Sequence, residues 1–203
     1  MRDDLKIALC NDFPTLYQTD RVRQNGIAIG NGWEPLLRKL SEKIMLSLAT
    51  LPEEERATFE VWQVKEKFGA LRYYAEPSDI TPEIKQAIQE AESVSAITCE
   101  ICGGPGESYT ITDWIHTLCH PCYVQLKVDK GFEVIVCHVC GVTEACENVP
   151  DKVESELWYT NLPKGWFIQA GSCNDGGVAV FTCSQECLRR NNRVGFKRKL
   201  NRS

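Results

Sequence analysis

The feature that most restricts this chain is its pattern of paired cysteines. Residues 99–122 read CEICGGPGESYTITDWIHTLCHPC, two CxxC pairs separated by sixteen residues. A third pair, Cys137 and Cys140, follows, and Cys183 and Cys187 make a CxxxC. Two residues between cysteines let a tight turn aim both sulfurs at one ion, and zinc takes four such ligands at about 2.3 Å in a tetrahedron. CxxC-x16-CxxC falls within a known zinc spacing. Gly103 and Gly141, which follow the first and third pairs, suit the sharp backbone of such knuckles.

The spacing predicts two zinc ions. Sequential pairing puts Cys99, Cys102, Cys119 and Cys122 on one, and Cys137, Cys140, Cys183 and Cys187 on the other. A cross-braced pairing fits the same spacing. Forty-two residues separate Cys140 from Cys183, so the second site must close through the fold and not through a local loop. Cys10 and Cys173 read as ordinary small side chains, and Cys146 as a spare. His116, His120 and His138 read as neighbours of thiolates or surface imidazoles, because four cysteines already complete a site.

Four sulfurs close a zinc site, whereas a catalytic zinc keeps a position open for water. Thiol–disulfide exchange normally uses one CxxC at a helix start, and here the pairs are multiplied. No His is followed two residues later by Glu, as the zinc deaminases require. The enzymatic alternative is a zinc-bracketed HNH nuclease, since TLCHPCYVQLK resembles its downstream cysteine pair. Between Cys102 and Cys119, however, only Asp113 and His116 offer groups for a divalent ion. The reading is therefore of a protein that is not an enzyme.

Ahead of the cysteines the pattern is αββα. Trp33, Leu37, Leu40, Ile44 and Leu48 recur at helical spacing, with Asn31 as N-cap and Glu34 completing a capping box. Phe59, Val61, Trp62 and Val64, then Leu71, Tyr73 and Tyr74, suit two strands joined at KEKFG. Pro82 opens a second helix with Ile84, Ile88, Ala91 and Val94 on one face. The expected fold is α+β, with this small half packed on a C-terminal zinc-bound half of treble-clef or zinc-ribbon type. The regions are 1–98, 99–188 and a basic helix end and tail at 189–203.

No run approaches the ~18–20 apolar residues of a membrane helix, and MRDDLKIALCNDF lacks the apolar stretch of a signal peptide. A cytoplasmic location follows, where thiols stay reduced. Charge is unevenly distributed. The last fifteen residues hold seven cations, among them Arg189, Arg190, Arg193, Lys197, Arg198 and Lys199, and no acid. Residues 1–188 must then carry −12 to leave the chain at −5. An acidic body repels nucleic acid over most of its surface, while the tail can act as a phosphate-contacting arm. Lys65, Lys67 and Arg72, interleaved with Trp62, Phe68, Tyr73 and Tyr74, suit a single-stranded nucleic-acid surface. The alternative, preferred from sequence, is a hairpin whose aromatics pack on the two helices.

The stretches QVKEKFGALRYY, AESVS, CEICGGPG and WIHTLCHPC resemble a family of small uncharacterised proteins of bacteriophages and prophages. GNGWEPLLRKL and LPKGWF…FTCSQEC are similar more weakly. The resemblance implies a zinc-binding accessory protein of mobile DNA, present in the host cytoplasm and acting by contact with a host or phage protein. It brings no catalytic residues.

Overall fold

The structure, a computed structural model, describes residues 1–77, 81–146, 162–170 and 179–190. Cys173, Arg193, Lys197, Arg198 and Lys199 lie outside these residues. The chain is α+β and forms two units, Met1–Tyr123 and Val124–Ser203. The first unit therefore holds the first two cysteine pairs together with the αββα region.

In the first unit, helix α4 (Glu34–Leu48) carries the expected stripe, and Trp33, Leu37, Leu40, Ile44 and Leu48 are all buried. Asn31 does not cap it. Residues Asn31–Trp33 form a 3-10 turn, Trp33 takes the cap position without a side-chain bond, and the Asn31 Oδ1 accepts from the Arg2 N–H instead at 2.7 Å. Glu34 pairs with Arg38 one turn on, at 2.9 Å. The capping box gives way because the entry to α4 is fixed by backbone packing, described below.

Strands β2 (Glu60–Lys67) and β3 (Ala70–Glu76) form the expected hairpin, in antiparallel register from Glu60↔Glu76 to Lys67↔Ala70. Phe68 and Gly69 make its turn with φ of 56° and 71°. Positive φ at both central residues suits a two-residue hairpin loop whose twist matches the strands. Val61, Val64, Leu71 and Tyr73 face the core. The register shifts between Val61 and Gln63, which leaves Trp62 at a bulge.

Beyond the short helix α5 (Glu53–Arg56) and the hairpin, helix α6 (Pro82–Ser95) starts at Thr81, whose hydroxyl accepts from the Ile84 N–H at 3.1 Å. This is a side-chain N-cap. Ile84, Ala87, Ala91 and Ser95 form its buried face. Val94, expected there, is exposed. Along the outer edge of β3, Leu71 N–H donates to Ser95 Oγ and Tyr73 N–H to Glu92 Oε1, at 2.8 and 3.2 Å. Side chains of α6 thus satisfy backbone groups that an edge strand leaves open.

Residues 1–30 hold elements that the sequence pattern did not announce. Helices α1 (Asp3–Asp12), α2 (Pro14–Tyr17) and α3 (Asp20–Asn25) lead into β1 (Ile27–Ala28). This two-residue strand pairs parallel with β2 at Ile27↔Val64. Leu9, Leu16, Tyr17, Val22 and Ile27 enter the same core as α4 and α6. Tyr17 Oη bonds Ser41 Oγ at 2.6 Å, so its hydroxyl is satisfied while buried.

After α6, strands β4 (Glu107–Ile111) and β5 (Trp114–Leu118) form a second hairpin, and α7 (His120–Asp129) follows. The second unit contains two more hairpins among its described residues. One joins β6 (Glu133–Val136) to β7 (Thr143–Cys146), the other β8 (Phe167–Ala170) to β9 (Ala179–Thr182). Residues 185–190 are helical. Among the described side chains of these strands, Ile135, Ala145, Cys146 and Ile168 are buried and apolar.

Candidate metal centres

Each cysteine group begins with the same knuckle. In the first, Cys99 N–H donates to Gly104 O at 2.7 Å and Gly103 N–H returns to Cys99 O at 2.9 Å. In the second, Cys137 N–H donates to Val142 O at 2.8 Å and Gly141 N–H to Cys137 O at 2.9 Å. Gly103 and Gly141 have φ of 78° and 75°, the left-handed region that glycine enters without a Cβ penalty. Both glycines therefore do what the sequence reading assigned to them.

The remaining ligand candidates come from helix starts. Cys119 precedes α7 and Cys122 lies in its first turn. Cys183 and Cys187 flank the start of helix 185–190, where Ser184 Oγ accepts from the Cys187 N–H at 3.2 Å. For the first group the order is knuckle, hairpin, helix, that of a treble-clef-like module. The second group closes through the fold: Cys183 N–H donates to Cys137 Sγ at 3.4 Å, and His138 N–H to Phe181 O at 2.9 Å.

The structure brings together the sulfurs of Cys99, Cys102, Cys119 and Cys122, and separately those of Cys137, Cys140, Cys183 and Cys187, each set within 4.8 Å. The grouping is sequential. Cys102 and Cys119 are 3.5 Å apart, Cys140 and Cys183 3.4 Å, and Cys183 and Cys187 3.7 Å. A tetrahedron with metal–sulfur bonds of about 2.3 Å has edges of about 3.8 Å. Both groups can hold a metal ion.

Electrostatics divides each group in the same way. Burial opposes ionisation of Cys99, but N–H groups of Cys102, Cys119 and Ile101 aimed at its sulfur outweigh that and bring the thiol down to about 7. For Cys137, burial is likewise outweighed by N–H groups of Cys140, Cys183 and Val139, and the thiol falls to about 6. One later ligand in each group goes the other way. Burial, then the neighbouring sulfurs, push Cys183 up to about 12 and Cys122 higher still. Four thiols crowded together cannot all ionise without a cation between them. A divalent ion between the sulfurs would supply that charge.

The surroundings of the two groups differ. Gly30 and Gly32 carry the chain against the first knuckle, backbone to backbone. Gly32 N–H donates to Glu100 O at 2.8 Å, and a Cβ at Gly32 would sit 2.2 Å from Cys99 O and 2.4 Å from Gly103 N. Trp33 Nε1 donates to Thr98 O at 2.7 Å, and Thr117 Oγ1 to Gly69 O at 2.6 Å. Sequence reasoning missed this dock. The glycines on either side of Asn31, just ahead of a buried tryptophan, were its signal, because only glycine permits such an approach.

None of the three histidines joins either group. His116 Nδ1 meets Glu100 Oε1 at 2.7 Å, both half-buried. Asp113 sits in the β4–β5 turn with φ of 68°. Cys10 is half-buried, and burial raises its thiol. Cys146 is buried on β7. Arg189 and Arg190 are exposed at the end of the described helix. No protein-family model matches the chain, and neither a curated protein nor a solved structure matches it.

Proposed function

We propose that the protein is a zinc-stabilised binding protein without catalytic activity, an accessory factor of phage or prophage type that works by contact with a host or phage protein in the host cytoplasm. The observation that carries this reading is the make-up of the two groups, four thiols each with no histidine, carboxylate or open position. Such sets suit zinc in its structural role, with a formal charge of −2 per site. The first site faces a cleft of about 510 Å³ lined by Leu5, Pro35, Leu36, Val94 and Ile101 beside Cys102. Val94, Ile97 and Ile101 are exposed apolar side chains near the same knuckle. Grouped apolar residues of this kind mark contact surfaces.

Metal analysis of the purified protein by mass spectrometry should give two zinc ions per chain. One ion or none removes the two-site reading. Capture of partners from host or infected cells should fail for Ile97→Glu and Ile101→Glu variants, and cleavage of nucleic acid that depends on an added divalent ion would replace the reading with a nuclease.

A further inference from the structure

The solvent face of the β2–β3 hairpin carries aromatic and cationic side chains that the core does not use. Tyr73 is buried, as a packing residue should be, but Phe68 is 70% exposed and Tyr74 40%. Trp62 at the bulge is half-buried, with the Arg21 guanidinium 4.0 Å from its ring centroid. Lys65 lies 5.2 Å from the Tyr74 ring and Lys67 5.3 Å from the Phe68 ring. Three aromatic rings on one hairpin therefore each have a cation over them. Arg21 and Arg72 also meet Glu60 and Glu92, whereas Lys65 and Lys67 make no ion pair among the described residues.

Phe68 sharpens the point. It occupies a turn position with φ of 56°, where a bulky residue is strained and asparagine or glycine is favoured. A largely exposed phenylalanine there costs stability and returns little packing. Strain of this kind in a packed scaffold marks function.

We infer that this face binds single-stranded nucleic acid, with bases stacked on Phe68, Tyr74 and Trp62 and phosphates held by Lys65 and Lys67. The chemistry matches on both counts: every base has a π-face, and Lys65 and Lys67, without an ion pair among the described residues, attract phosphate. This surface is separate from the cleft beside the first metal group, and its partner is separate from the protein contact proposed there.

The test is fluorescence anisotropy of the full-length protein with a labelled oligothymidine of about twelve residues, titrated at several salt concentrations. Two phosphate contacts give a slope of log K on log salt near −1.4, at about 0.7 per contact on a single strand. The seven cations of the tail would give a slope toward about −5 by the same rule. Phe68→Asn creates the Asn-Gly turn that such hairpins prefer, so its fold is held or improved while its ring is lost. Phe68→Asn and Tyr74→Thr should each weaken binding about tenfold with unchanged zinc content, and duplex DNA should bind less tightly than the single strand. The inference is overturned by absent binding, by binding unaltered in both variants, by equal affinity for duplex, or by a steep slope that vanishes when residues 191–203 are deleted. Preferential binding of an acidic peptide at this face would overturn it too. Zinc content measured on the same samples keeps this outcome apart from failure of the zinc reading.

Discussion

The two cysteine groups share a knuckle, yet they are built into different surroundings. The first sits within a unit whose core contains Leu9, Trp33, Leu37, Ile44, Val61, Leu71 and Ile84, all buried. Backbone bonds from Gly32 and side-chain bonds from Trp33 and Thr117 reach its knuckle and hairpin. The second group is surrounded, among the described residues, by two short hairpins with Ile135, Ala145, Cys146 and Ile168 as buried apolar side chains. The same four-thiol arrangement therefore has two structural meanings. In the first unit a metal ion adds to a core that already exists. Among the described residues of the second it holds together short hairpins, which are not stable on their own.

Metal removal gives the largest test of that contrast. Structural zinc contributes about 10–16 kcal/mol of apparent binding energy in small domains. Chelation, or Cys137→Ser, should abolish amide-exchange protection in 133–146 and 167–170 while α4 and the β2–β3 hairpin stay protected. Equal loss in both units would break the comparison.

Trp33→Ala probes the core behind the first group. The side chain is wholly buried and bonded to Thr98 O, so its loss should cost about 3–5 kcal/mol, as for other large buried aromatics. Denaturant melts measure the loss, and release of metal from the first site to a chromogenic chelator should speed up in parallel. Unchanged release would mean that the dock and the metal site are energetically separate.

Two glycines sharpen the contrast further. At Gly32 an added methyl meets the knuckle backbone, which must shift, and Gly32→Ala should cost about 3 kcal/mol as overpacking does. At Gly141 nothing lies within 4 Å of the added methyl. Gly141→Ala pays only for its φ of 75°, about 1–2 kcal/mol. Melts of the two variants should separate in that order.

An effect as small as that at Gly141 is expected at Trp62. Half-buried at a bulge beneath Arg21, it should lose about 1–2 kcal/mol on change to Ala, in proportion to its partial burial. A loss near that of Trp33→Ala would make it a core residue and remove one ring from the binding face.

Much of this protein was legible in one dimension because its signals are local. A CxxC followed by glycine dictates a knuckle whatever surrounds it, since the turn closes its own hydrogen bonds. The stripe from Trp33 to Leu48 and the alternation in β2 and β3 are likewise periods of a single element. The Phe68-Gly69 connection was readable as a hairpin, though not as the site of an exposed, strained ring.

What only the tertiary structure decided depends on partners distant in sequence. Asn31 has the chemistry of an N-cap, but packing of Gly30 and Gly32 against residues 99–103 turned it toward Arg2. Strand β1 has two residues and no period of its own, so its existence depends on the edge of β2 that it joins. Spacing allowed sequential and cross-braced groupings alike; the choice was made where Cys183 N–H meets Cys137 Sγ across an intervening stretch of 45 residues. Which face Trp62 takes was set by the bulge beside it, because a shift of one residue exchanges the two faces of a strand.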